Sequence, residues 1–219
     1  WFMLANLHKE FIFSIMTASI PFWAKYVLKI QGTTNLLGLD LGPELQNSLL
    51  LGSIFVMTLP GIPFWTWVAK RIGGRRGWQI AQTTFAISMV AFYLATDFNQ
   101  AIIGTSIAGL SLAGLLVYPD LLISDVIDED SKLTGARREG MYFGINGFII
   151  RFAFTMQGIT TAIVLSTSGY VSASAQDLFP TQPPEAIFGI RAMVSLVPIL
   201  ASIVAIWALR QYARHTKHN

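Results

Sequence analysis

Six stretches of this chain are apolar for about 20 residues each, the length an α-helix needs to cross a hydrocarbon layer about 30 Å thick. They run near Leu4 to Leu28, Gln46 to Ala69, Trp78 to Ala95, Ala101 to Ile123, Met141 to Leu165 and Ala186 to Leu209, each bounded by Gly, Pro or charge. Inside a bilayer the backbone must satisfy its own hydrogen bonds, so such runs predict helices. A transmembrane barrel would instead alternate polar and apolar residues over about ten positions, and no such alternation is visible. The predicted fold is an all-α membrane protein with six transmembrane helices.

Composition narrows the function. Of 219 residues, 53% are hydrophobic and 12% charged, against roughly 25% charged in a soluble domain. A water-facing surface cannot be built from that supply, which excludes a soluble enzyme, a disordered chain and a nucleic-acid module. The absence of cysteine excludes disulfides, thiolate zinc, iron-sulfur clusters and a cysteine nucleophile. His215 and His218 lack a third ligand nearby, and the glycines at Gly73 and Gly74 have no Lys-Ser pair after them and no strand before. With no Gly-x-Ser-x-Gly and no His-Glu-x-x-His either, neither an enzyme nor a cofactor or metal site is expected. The chain starts at Trp1 with no signal peptide visible, which reads as a cut within a longer protein.

Six crossings would place both ends on one side, and basic residues mark that side as cytoplasmic. Lys9, Lys70, Arg71, Arg75, Arg76, Lys132, Arg137, Arg138, Arg210, Arg214 and Lys217 gather there, eleven of the fifteen Lys and Arg. Lys25, Lys29 and Arg191 fall on the other side, and Arg151 lies inside a span. The opposite loops, rich in Gly, Ser and Pro, read as water-exposed connections.

Polar residues inside the spans are the candidates for function. On the first, Asn6, Glu10, Ser14, Thr17, Pro21 and Lys25 share about 100° of arc, while Ile12, Ile15, Met16, Ile20, Trp23 and Val27 take the other side. The stripe predicts a helix lining a wet cavity; the alternative is that Glu10 and Lys25 reach the two interfaces. On the fifth, Gly140, Gly144, Gly147, Arg151 and Gly158 form one strip. Arg151 is too deep to snorkel easily, and a mid-membrane arginine costs about 2.5–3.5 kcal/mol even on the lenient insertion scale. It should meet an acid or a wet cavity, or else bond helix carbonyls structurally. Asn146 and Gln157 point about 120° or more away from it, toward another neighbour.

Two charged segments suggest a gate. Lys70 to Arg76 is basic, whereas Asp125 to Glu139 carries five acids and three bases. They read either as solvated loops or as an ionic latch joining Arg75 and Arg76 to Asp125, Asp128, Arg137, Arg138 and Glu139. Surface pairs are worth ~0–1 kcal/mol each, so a latch needs several together.

The stretch from Pro119 to Tyr170 resembles the signature of the glycoside-pentoside-hexuronide:cation symporters, the melibiose-permease-like branch of the major facilitator superfamily. It carries Asp125 and Asp128, the Gly-Ala-Arg-Arg-Glu-Gly turn at Gly135 to Gly140, then Arg151, then Gly169 with Tyr170. The Lys70 to Arg76 segment similarly resembles the superfamily's basic loop. This resemblance implies the C-terminal half of a twelve-helix transporter, its spans being helices 7 to 12, with the N-terminal half absent. It implies cation-coupled symport of a sugar or glycoside by alternating access, with sodium or a proton held mainly by the other half. The family's cationic position on helix 11 is usually Lys and here Arg151, which suits clamping over proton release. Arg151, Asn146 and Glu10 are the expected solute-facing residues. A lysolipid or other amphiphile carrier, and a non-transporting scaffold or sensor half, are the alternatives. The expected partners are the other half, a small polar solute and the bilayer, with no nucleic acid.

Overall fold

The computed structural model describes residues 1–36 and 38–215 of the chain. Lys217 and His218 lie outside the described residues, as do the side chains of Arg214 and His215. Six helical rods follow one another: α1 (Phe2–Phe22) extended by a π-helical turn (Trp23–Val27), α2 (Pro43–Ile72), α3 (Gly74–Leu94), α4 (Phe98–Thr134), α5 (Glu139–Thr167), and a last rod of α6 (Pro184–Arg191), a second π turn (Ala192–Leu196) and α7 (Val197–His215). Among the described residues four of these rods, α2, α4, α5 and the last, are long and apolar enough to cross a membrane. The first rod and α3 bury much of their length among their neighbours.

Two local predictions need correction. The segment read as a loop from Asp125 is helix as far as Thr134, where Gly135 ends it with a left-handed φ of 71°. A helix satisfies its own backbone hydrogen bonds in water as well as in hydrocarbon, so the onset of polar residues did not mark its end. The basic segment at Lys70 to Arg76 is likewise no loop. α2 runs to Ile72 and α3 starts at Gly74, so Gly73 alone, with φ 82°, turns the chain; a side chain there would be strained. The connection after the first rod holds a small antiparallel hairpin of β1 (Thr34–Leu36) and β2 (Leu39–Leu41), whose Asn35 Oδ1 accepts the Gly38 N–H and so braces the turn.

The core is built where small residues let helices approach. α2 lies against α4: Thr58 donates to the Gly109 carbonyl at 3.0 Å, Trp65 Nε1 to the Leu110 carbonyl at 2.8 Å, and Ser53 and Thr105 share a 2.7 Å bond. A Cβ on Gly109 would overlap the Ile54 carbonyl oxygen, so glycine is needed at this crossing. α3 packs against α4 and the last rod, burying Trp78, Phe85 and Phe92 on that side while Ile80 and Ile87 stay exposed on the other, and it joins the last rod through Gln82 Nε2 to Ser202 Oγ at 2.9 Å and Arg191 Nη1 to the Tyr93 carbonyl at 2.9 Å. α1 packs against α7 on one side and α5 on another, while α2 and α5 stand at the outside.

Candidate functional site

α1 is almost wholly enclosed. Ile12, Ile15, Met16, Ile20 and Trp23 have essentially no exposure, since they face α5, the last rod and the bundle interior. Its uncovered side is the polar stripe: Thr17 and Pro21 are exposed, and Glu10 and Lys25 half-buried. The 3.6-residue period put these groups on one line, and packing left Thr17 and Pro21 exposed on it while covering Asn6 and Ser14.

The stripe is not uniformly free. Lys9, nearly buried, pairs with Glu10 at 2.5 Å, and their side chains are 8% and 17% exposed. The acid predicted to face solute therefore has its counter-charge one residue away. Ser14 and Thr17 bond back to the carbonyls of Phe11 and Phe13. At its far end the stripe opens into a cleft of about 790 Å³ between the π turn and the start of α2, where Pro21, Lys25, Glu44, Asn47 and Phe179 meet. Lys25 Nζ lies 4.9 Å from the centroid of Phe179, which belongs to the connection between α5 and α6.

Asn146 faces the α1–α5 seam, where Asn6 Nδ2 donates to its Oδ1 at 2.6 Å. Gln157 bonds Thr161 on its own helix at 3.0 Å. Arg151 stands on the opposite side of α5, exposed, with Nη1 donating to the Gly147 carbonyl at 3.3 Å. Ala153, the buried residue of this helix, is about 160° round from it. Arg151, Asn146 and Glu10 are thus held in three separate settings: an outer face, a seam and an ion pair. A Cβ on Gly140, Gly144 or Gly158 meets nothing within 4 Å, so the glycine strip around Arg151 is an open flat surface.

At the charged end, Arg137 pairs with Glu139 and, at 3.7 Å, with Asp128. Among the described residues no ion pair links Arg75 or Arg76 to Asp125 or Asp128. Arg75 instead lies 4.4 Å from the ring centroid of Tyr212 on α7, and the charges of Asp125 and Glu129 act on that same tyrosine. Arg138 is exposed at the start of α5. Tyr212 is a member of this cluster that sequence reasoning missed, because nothing in the spacing of α7 shows it reaching α3.

A family model described as MFS/sugar transport protein matches residues 1–213. The chain belongs to that family. It is an all-α membrane half of the major facilitator type, as the resemblance implied. The chain is 26% identical over 197 residues to the glucuronide carrier protein homolog of Escherichia coli (strain K12), covering 88% of this chain and 39% of that one. It is 27% identical over 201 residues to an uncharacterized symporter of Bacillus subtilis (strain 168), covering 90% and 39%. A third relative, the sodium-dependent lysophosphatidylcholine symporter 1-B of Danio rerio, is 25% identical over 173 residues, covering 77% and 32%. The chain spans about two fifths of the length of the first two curated relatives, 39% of each. Family membership and the four apolar helices make it an integral membrane protein.

Proposed function

We propose that this chain works as the C-terminal half of a secondary transporter that carries a sugar or glycoside by cation-coupled symport. One observation carries the reading: on a helix otherwise largely enclosed, Thr17 and Pro21 of the polar stripe are exposed and Glu10 and Lys25 half-buried, while Asn6 and Ser14 are covered. In a bilayer such a stripe needs water or solute against it. The other half, lying across α1 and the outer faces of α2 and α5, encloses a hydrated path and holds the coupling sodium or proton. The two halves rock about it, with both ends of this chain in the cytoplasm, where the basic residues gather. Arg151 reaches the path from α5 and clamps solute through its planar fork. The cluster of Arg75, Tyr212, Asp125, Asp128 and Arg137 acts as the cytoplasmic gate.

Thiol labelling tests this. A Thr17→Cys variant of the complete transporter should react with a water-soluble thiol reagent, and a transported glycoside should protect it; a residue that never reacts would place the stripe against lipid and end the proposal. Arg151→Gln should abolish accumulation while leaving the protein in the membrane, and unchanged counterflow would remove Arg151 from the mechanism.

Carriage of a lysolipid or other amphiphile is a second reading, favoured by one feature of α5. The exposed Phe148 and Phe152 rings stack 6.3 Å apart beside the exposed Arg151, placing apolar surface and cation on adjacent faces of one helix. The relative named a lysophosphatidylcholine symporter points the same way. Uptake competition between glycosides and lysolipids separates the two, and binding with no transport of either would leave a scaffold or sensor half.

A further inference from the structure

On the outer side of the bundle, α2 and α3 diverge over α4 and leave a groove of about 570 Å³. Phe64, Val68, Ile80, Thr84, Ile107 and Leu110 line it, and the side chains are apolar apart from one threonine and the nearby Ser111. It stands apart from the polar stripe of α1. The volume lies inside the range of ligand clefts, ~300–1,000 Å³. What closes one end gives the groove its character. Arg71 follows Phe64 by seven residues and Val68 by three, and Arg76 precedes Ile80 by four and Thr84 by eight, so both arginines fall on the groove's own helix faces about one turn beyond its lining. Both are exposed. Arg71 lies 4.2 Å from the ring centroid of Trp67, and Trp67 stacks on Phe64 at 6.4 Å. Among the described residues neither arginine is in an ion pair.

We propose that this groove binds an anionic phospholipid of the leaflet in which the turn at Gly73 lies, one acyl chain along α2 and α3 and the phosphate between Arg71 and Arg76. The two parts of the site match the two parts of such a lipid. The groove removes methylene groups from contact with mobile chains, Trp67 holds Arg71 at the depth where tryptophan is enriched at the membrane surface, and unpaired guanidinium forks recognise a phosphate bidentately. A neutral headgroup presents no net charge to them, so the site selects anionic over zwitterionic lipid.

The test uses the complete transporter in detergent, titrated with phosphatidylglycerol and, separately, with phosphatidylcholine and with water-soluble glycerol 1-phosphate. Phosphatidylglycerol should raise the Tm in a saturable way and be retained as a bound lipid in native mass spectrometry. The other two should do neither. Arg71→Gln with Arg76→Gln should weaken the apparent affinity about thirtyfold, from roughly 1 kcal/mol per basic residue at the membrane surface. The corresponding double lysine variant, which keeps the charge and loses the fork, should bind between the parent and the double glutamine variant, which separates lost charge from lost fold. Ile80→Trp, placed at an exposed position, should fill the groove and weaken binding with both arginines intact. Undiminished phosphatidylglycerol binding in the double glutamine variant, an equal shift with glycerol 1-phosphate, or no effect of Ile80→Trp would each overturn the proposal.

Discussion

Asn6 on α1 and Asn146 on α5, 140 positions apart in the chain, are joined side chain to side chain by a 2.6 Å hydrogen bond. At the other end of the same seam, Tyr170 donates to the Tyr26 hydroxyl at 3.2 Å. Two polar fastenings thus tie the outer helix α5, otherwise exposed along most of its length, to the enclosed helix α1.

Asn6→Ala or Asn146→Ala alone should destabilise the protein by about 0.6–1.7 kcal/mol, the range for interhelical hydrogen bonds in membrane helices. The Asn6 Oδ1 is already buried without a partner, so removing the Nδ2 bond leaves a poorly compensated amide. Exchanging both residues for Leu should recover part of that loss, because no unpaired polar group then remains. A double-mutant cycle read by thermal unfolding checks this, and strictly additive single effects would show the pair to be uncoupled.

Glycines on the two sides of the bundle should respond differently. Gly109→Ala meets the Ile54 backbone and Gly77→Ala meets the Tyr118 ring, so each should lower stability by about 1–3 kcal/mol through overpacking. Gly140→Ala and Gly144→Ala meet nothing and should leave the Tm unchanged. If the other half closes over α5, Gly144→Leu should reduce transport without reducing expression. Expression and uptake measured side by side give the answer.

Tyr212→Ala should loosen the charged end by about 0.5–1 kcal/mol, the worth of an exposed cation–π contact, and should raise protease sensitivity near Arg75. Tyr212→Phe keeps the ring under the guanidinium and should behave nearly as the parent. Equal loss in both variants would mean that the hydroxyl and its acidic neighbours, rather than the ring, hold Arg75.

Phe179→Ala should free the connection between α5 and α6 from Lys25, raising the labelling rate of a cysteine placed at Asn47 in the neighbouring cleft. That cleft is bordered by both Lys25 and Phe179. Unaltered labelling would mean that the connection does not control access.

The sequence by itself determined six helical rods, because a mostly apolar run of about 20 residues has one stable form in hydrocarbon. It also determined the stripe on α1, because residues three and four apart must share a helix face. The place of Arg151 well inside its helix was legible as well, from simple distance to either end of its run. The tertiary structure alone decided what each polar group touches. Asn146 turned out to serve a seam, Glu10 an ion pair with its neighbour, and Arg75 a tyrosine 137 positions away. Periodicity says which residues share a face of one helix, but it carries no information about which helix lies opposite. That choice is made by close approach at Gly109 and Gly77 and by side-chain shapes across the crossings, quantities that depend on two distant segments at once. Only the tertiary structure, too, ran α4 beyond the bilayer to Thr134, because water and hydrocarbon both support a helix and the sequence marks the border between them, not the end of the helix.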